Sequence, residues 1–239
     1  MARVVVVSPH LDDGILSLGA SIDAASRAGA DVTILTVLAG EPSSRQPAGV
    51  WDEAAGFRLA GEACAGRREE DARACAIVGA TPLWLGFGDE QYPRGGSDDA
   101  IRGQVAEVTV GADLVRVPGF PLQHDDHRFG AELLGDDLGS AAVAEYVEQP
   151  YAALAGLSTS GAHGWEAISL PYISVGAKHR ALRAYETQVS ALPAEALSAI
   201  RIAEARSGGE TIRLRSGSHE AYASVVRALW PARARLVPA

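Results

Sequence analysis

The chain has 239 residues, 47% hydrophobic and 21% charged, an ordinary globular composition for a chain long enough to bury a sizeable core. Acidic residues outnumber basic ones by 30 to 21, a formal charge of -9, which argues against a phosphate-neutralising surface and so against nucleic acid as a partner. Two cysteines cannot build a disulfide framework, and no apolar run approaches the ~20 residues that span a bilayer, so a cytoplasmic protein with no membrane partner is expected.

In chain order, Val4 to Val7 is a run of β-branched residues closed by Ser8-Pro9, the pattern of a strand buried on both faces. Ile15, Leu16, Leu18 and Ile22 recur at helical spacing, with Gly29 placed just beyond the helix. Val32 to Leu38 reads as the second strand. Strand, helix, strand in 38 residues predicts a right-handed parallel βαβ unit. Glu41 to Val50 reads as a loop, Arg67 to Val78 as a helix stopped by Gly79, and Leu83 to Phe87 as a third strand. A helix over Asp99 to Thr109 precedes a strand from Asp113 to Val117, closed by Pro118-Gly119, and a further helix is expected to start near Phe129. Ala167 to Pro171 is a strand candidate, Ala177 to Leu192 a long helix, and Thr211 to Leu214 an edge strand. The alternation predicts an α/β fold, a Rossmann-like open, mostly parallel sheet with helices on both faces. No linker divides the chain, which we read as one domain over residues 1–239.

In such sheets, ligands bind at the carboxyl ends of strands. Two polar clusters are expected there: Ser8-Pro9-His10-Leu11-Asp12-Asp13-Gly14, and His124-Asp125-Asp126-His127. Taken singly, Asp12 or Asp13 could cap a helix and His124 to His127 could be a solvated loop. Together they hold three of the six histidines. His and Asp are good zinc ligands, and three protein ligands with one open position define a catalytic zinc site. The residues alone therefore point to a metal-assisted hydrolase.

At these residues the chain resembles the LmbE-like or PIG-L family, zinc-dependent deacetylases of N-acetylglucosaminyl substrates and related N-acyl amines. Pro9-His10-Leu11-Asp12-Asp13-Gly14 is similar to the family's first motif, and His124-Asp125-Asp126-His127 to its second. Similar segments follow in order at Arg67-Arg68-Glu69-Glu70, Asp89-Glu90-Gln91-Tyr92, Glu148-Gln149-Pro150-Tyr151 and Lys178 through Tyr185 to Gln188. The resemblance implies that His10, Asp13 and His127 hold the metal. It makes Asp12 the base that deprotonates the attacking water and returns the proton to the leaving amine. It makes His124, as an imidazolium, the oxyanion donor, with Asp126 orienting it, and Arg67 a contact to the substrate. The metal would be Zn2+, with Fe2+ or another divalent ion also suited to two histidines and a carboxylate. Leu11, Gly14 and Asp125 depart from the family's usual residues, and none of these removes a ligand.

The implied function is metal-dependent removal of the acetyl group from a small-molecule N-acetylated amino sugar or sugar-containing metabolite. An amidase of another N-acyl metabolite or thiol conjugate would use the same catalytic set. A non-catalytic nucleotide- or sugar-binding module would instead show a Gly-x-Gly-x-x-Gly turn after the first strand, where this chain has Ser-Pro-His-Leu-Asp-Asp. His163, His179 and His219 carry no assigned role, and Arg67 fits a salt-bridged helix surface as well as a substrate contact.

Overall fold

The computed structural model describes residues 1–135 and 138–230. Its elements run β1 (Arg3–Ser8), α1 (Asp13–Arg27), β2 (Asp31–Thr36), α2 (Val50–Ala54), α3 (Ala60–Val78), β3 (Thr81–Trp84), α4 (Asp98–Thr109), β4 (Leu114–Phe120) and α5 (Asp125–Leu133). There follow β5 (Ala142–Val147), α6 (Tyr151–Leu154), β6 (Trp165–Ile168), α7 (Tyr172–Leu182), α8 (Glu186–Ala191), α9 (Ala196–Ser207), β7 (Glu210–Gly217) and α10 (His219–Leu229). The strands form one sheet in the order β3-β2-β1-β4-β5-β7-β6. Neighbours from β3 to β5 are parallel, whereas β7 runs antiparallel to both β5 and β6. The fold is α/β with a mostly parallel sheet.

The four valines of β1 explain the layering. Val4 and Val6 join the core under α1, whereas Val5 and Val7 join the opposite one beneath α4. A strand covered on both faces has no solvent side, hence the unbroken apolar run. The chain builds outward from β1 through β2 to β3, then returns to the other side of β1 with β4. This reversal opens a crevice at the carboxyl ends of β1 and β4, the place where such sheets bind ligands. Among the described residues, no helix is long and apolar enough to cross a membrane.

Several elements differ from the sequence expectation. The third strand lies at Thr81–Trp84 rather than Leu83 to Phe87. It is an edge strand, so Pro82 costs no ladder bond, while Leu85 and Phe87 bury themselves from the following loop. β4 continues through Pro118-Gly119 with a shift of register between Pro118 and Phe120. β5 has no counterpart in the sequence reading, since its mixture of small residues with Glu145 hides the apolar pattern. The expected helix from Ala177 to Leu192 is two helices, because Glu70 accepts hydrogen bonds from Thr187 N and Oγ1 (both 2.8 Å), starting a new helix there. The segment expected at the edge, Thr211 to Leu214, is interior, with β6 outside it.

Candidate active site

The first cluster sits on the turn from β1 into α1. Ser8 shapes this turn: its hydroxyl donates to His10 O (2.5 Å) and accepts from Gly14 N (2.9 Å). A Cβ on Gly14 would lie 3.3 Å from Ile34 Cγ2, so the close approach of α1 to β2 accounts for the small residue. Asp12 occupies the N-cap position without making a side-chain cap bond, which leaves its carboxylate to the cavity. The second cluster opens α5, four residues earlier than expected, with His124 as its N-cap.

His10, Asp13 and His127 converge. Asp13 Oδ2 lies 3.2 Å from His10 Nδ1 and 3.1 Å from His127 Nε2, and the two ring nitrogens are 3.2 Å apart. A tetrahedral ion with bonds of 2.0–2.1 Å has ligand atoms about 3.3 Å from one another. The donor set fits such an ion. A ring nitrogen of His124 also comes within 4.8 Å of nitrogens on His10 and His127. The outward ring nitrogens are backed by carboxylates: His10 Nε2 meets Asp126 Oδ2 at 3.0 Å, and His127 Nδ1 meets Glu148 Oε1 at 2.5 Å. Such pairs fix the tautomer and orientation of a metal-binding imidazole.

Electrostatics reinforce this. Burial opposes charge on His10, yet the Asp126 and Asp13 carboxylates push its imidazole up to about 10. Burial likewise opposes charge on His127, and Asp13 and Glu148 raise it to about 9. Burial, with the adjacent Asp13 carboxylate, lifts Asp12 to about 7, within reach of a proton-transfer role near neutrality.

The sequence reading of Asp126 and His124 needs correction. Asp126 does not orient His124 through its carboxylate, which is spent on His10, Arg94 Nη2 (2.8 Å) and Glu90 N (2.9 Å). It is instead the Asp126 backbone N–H that donates to His124 Nδ1 (3.2 Å), so the ring proton resides on Nε2. Burial and the neighbouring His10 and His127 lower the pKa of His124.

A cavity of about 370 Å³ opens over this centre, lined by His10, Asp12, Asp13 and His124, by Arg67 and Asp89, and by an apolar wall including Trp51 and Leu154. Arg67 is buried, ion-paired with Asp52 and facing the cavity, not a solvated helix face. Sequence reasoning gave no role to Glu148, Arg94 or Gln188. Glu148 follows β5 directly and so stands at the same carboxyl edge, a signal that the unread strand concealed. Gln188 lines the cavity with its Nε2 unpartnered among the described residues. His163, His179 and His219 do not line it.

A family model for PIG-L, the GlcNAc-PI de-N-acetylases, matches residues 5–136. Among solved structures, the A40926 pseudoaglycone deacetylase Dbv21 is similar at 26% identity and a TM-score of 0.72, over 89% of this chain and 96% of that one. A triple mutant of a deacetylase in the teicoplanin biosynthetic pathway matches at 25% identity and a TM-score of 0.72, over 92% of this chain and 100% of its own. The N,N'-diacetylchitobiose deacetylase from Pyrococcus horikoshii has a similar fold, with 17% identity and a TM-score of 0.60 over 89% of this chain and 83% of that one. No curated protein matches the sequence.

Proposed function

Because the chain belongs to the PIG-L family of GlcNAc-PI de-N-acetylases, we propose that it is a divalent-metal-dependent N-deacetylase that hydrolyses the acetamide of an amino sugar or sugar-containing metabolite. The observation that carries this reading is the convergence of His10 Nδ1, Asp13 Oδ2 and His127 Nε2 to within 3.1–3.2 Å of one another beneath an open cavity. His10, Asp13 and His127 hold the ion, which we take to be zinc, with iron(II) also suited to these donors. When bound, it polarises the acyl carbonyl and makes water acidic enough to attack near neutral pH.

The protein's own groups do the rest. Asp12 takes the proton from the attacking water as the new C–O bond forms, then returns it to the nitrogen as the C–N bond breaks, releasing acetate and the free amine. His124 donates its Nε2–H to the carbonyl oxygen as negative charge grows there, a contact that strengthens toward the transition state. Asp126 and Glu148 hold the two ligand rings, and Arg67 donates to a polar group of the substrate. The test is amine release from N-acetylated amino sugars and their conjugates before and after chelation. Asp12→Asn should keep its metal and lose about 10²–10⁴ in kcat. Loss of the metal from that variant would reverse the roles of the two aspartates, and undiminished turnover would remove Asp12 from the mechanism.

A further inference from the structure

The loop between β3 and α4 is joined to the candidate metal centre through one side chain, Arg94. The loop closes on itself at its base: Gly88 N donates to Arg94 O (3.1 Å), and Arg94 Nη1 donates back to Gly88 O (2.9 Å). A Cβ on Gly88 would collide with Pro93 O, so this closure needs a glycine. Asp89, Glu90 and Gln91, carried between the two ends, line the cavity over the centre, whereas Arg94 does not.

From that base the guanidinium spans to α5. Its Nη2 donates to Asp126 Oδ1 (2.8 Å), and its Cζ lies 4.6 Å from the centre of the Phe129 ring, about one helical turn further along. Asp126 is 2% exposed, and among the described residues no other donor meets its Oδ1. Its Oδ2 accepts from Glu90 N (2.9 Å) and faces His10 Nε2 at 3.0 Å. Two of the three groups that hold this carboxylate therefore come from the loop. The third is the ring whose other nitrogen converges on Asp13 and His127. A carboxylate gripped at one oxygen can still turn about its Cβ–Cγ bond, a soft torsion, and a grip on both oxygens removes that freedom. A lysine would not serve in place of the arginine. Only a planar fork bonds Gly88 O with one nitrogen and Asp126 with the other while lying on an aromatic face.

We propose that Arg94 is a positioning residue for the metal centre: it fixes the Asp126 carboxylate, and through it the ring of His10. A side chain that merely pinned the loop would be felt in stability and in the cavity wall. One that acts through Asp126 is felt in metal affinity, and only while Asp126 is there to transmit it. The inference rests on the proposed metal site, in which His10 is a ligand.

Zinc titration against a competing chelator, with no substrate present, tests it in a double-variant cycle. Arg94→Ala should bind zinc about tenfold more weakly, the low end of the loss for an outer partner of a ligand imidazole. Asp126→Asn should lose at least as much, and adding Arg94→Ala to it should cost no more than about a further twofold. The Arg94 side chain is 28% exposed, so its notch is open to small solutes. Guanidinium ion at a non-denaturing concentration should regain part of the affinity in Arg94→Ala and none in the double variant. Arg94→Gln carries the same cycle if Arg94→Ala does not fold. Unchanged zinc affinity in the Arg94 variant, losses that multiply in the double variant, or equal rescue of both would overturn the proposal. A wild-type protein that binds no zinc would overturn the metal site, and this inference with it. Amine release, followed separately, tells the two readings apart. The zinc pattern without amine release keeps Arg94 in this role and discards the deacetylase, whereas amine release with losses that multiply does the reverse.

Discussion

Two clusters of buried charge lie on either side of α1, and they are built to opposite ends. Beneath the helix, Lys178 Nζ, fully buried, contacts Glu204, Glu210 Oε1 (2.9 Å) and Ser17 O (3.4 Å). Glu210 completes its own set by accepting from Ala20 N (2.9 Å) and Ser21 N (2.8 Å). A Cβ on Gly19 would lie 2.9 Å from Lys178 Cγ, so the packing here is as closed as the hydrogen bonding. At the amino end of the same helix, by contrast, two imidazoles and a carboxylate point at one another, their facing atoms 3.1–3.2 Å apart. The first cluster carries its cation covalently, as a lysine. The second, in the function proposed above, takes its cation from outside the chain. A buried charge network is thus a structural lock when its counter-ion is a side chain, and a site when it is not.

The sharpest way to break this contrast is to remove a converging group. His127→Ala should abolish divalent-metal binding and amine release together, read by metal analysis and turnover; full metal occupancy in that variant would end the assignment. Lys178→Met should cost about 3–5 kcal/mol, because removing one partner strands buried carboxylates. Urea denaturation measures that loss, and metal affinity should stay within about twofold if the cluster is a lock and nothing more. A smaller effect is expected from His124→Ala, roughly 10²-fold or more in kcat with the metal retained, the usual loss for one oxyanion donor. Parallel loss of metal would make His124 a ligand, which its ring nitrogen is near enough to be. The mildest expectation is for Asp126→Asn: a 10–100-fold weaker metal affinity, as for other carboxylates behind a ligand imidazole. An effect on kcat alone would return Asp126 to the orienting role that the sequence suggested.

The parts of the fold that could be read in advance share a physical cause. β1 was legible because burial on both faces forces every position to be apolar, and α1 because its buried stripe recurs at the helical period. β5 was not, because Ala142, Ala144 and the exchange of Glu145 with Arg213 leave no such periodicity. The start of α5 escaped for a different reason. Its cap is a histidine, not one of the short polar residues that announce a helix, and its first residues looked wholly like a site motif.

The same division runs through the site. The local sequence settles which chemical groups exist and which lie within one turn of chain. His10 and Asp13 meet because a tight turn brings residues three apart together, the backbone N–H of His10 donating to Asp13 Oδ2 at 2.9 Å. Which carboxylate serves which imidazole is another matter. Asp126 lies in the motif with His124 yet pairs with His10, 116 residues away, and Glu148 takes His127 across 21 residues. Only the side-by-side register of β1, β4 and β5 decides those pairings. A ring nitrogen takes whichever acceptor the sheet sets at hydrogen-bond distance, and proximity in sequence exerts no force.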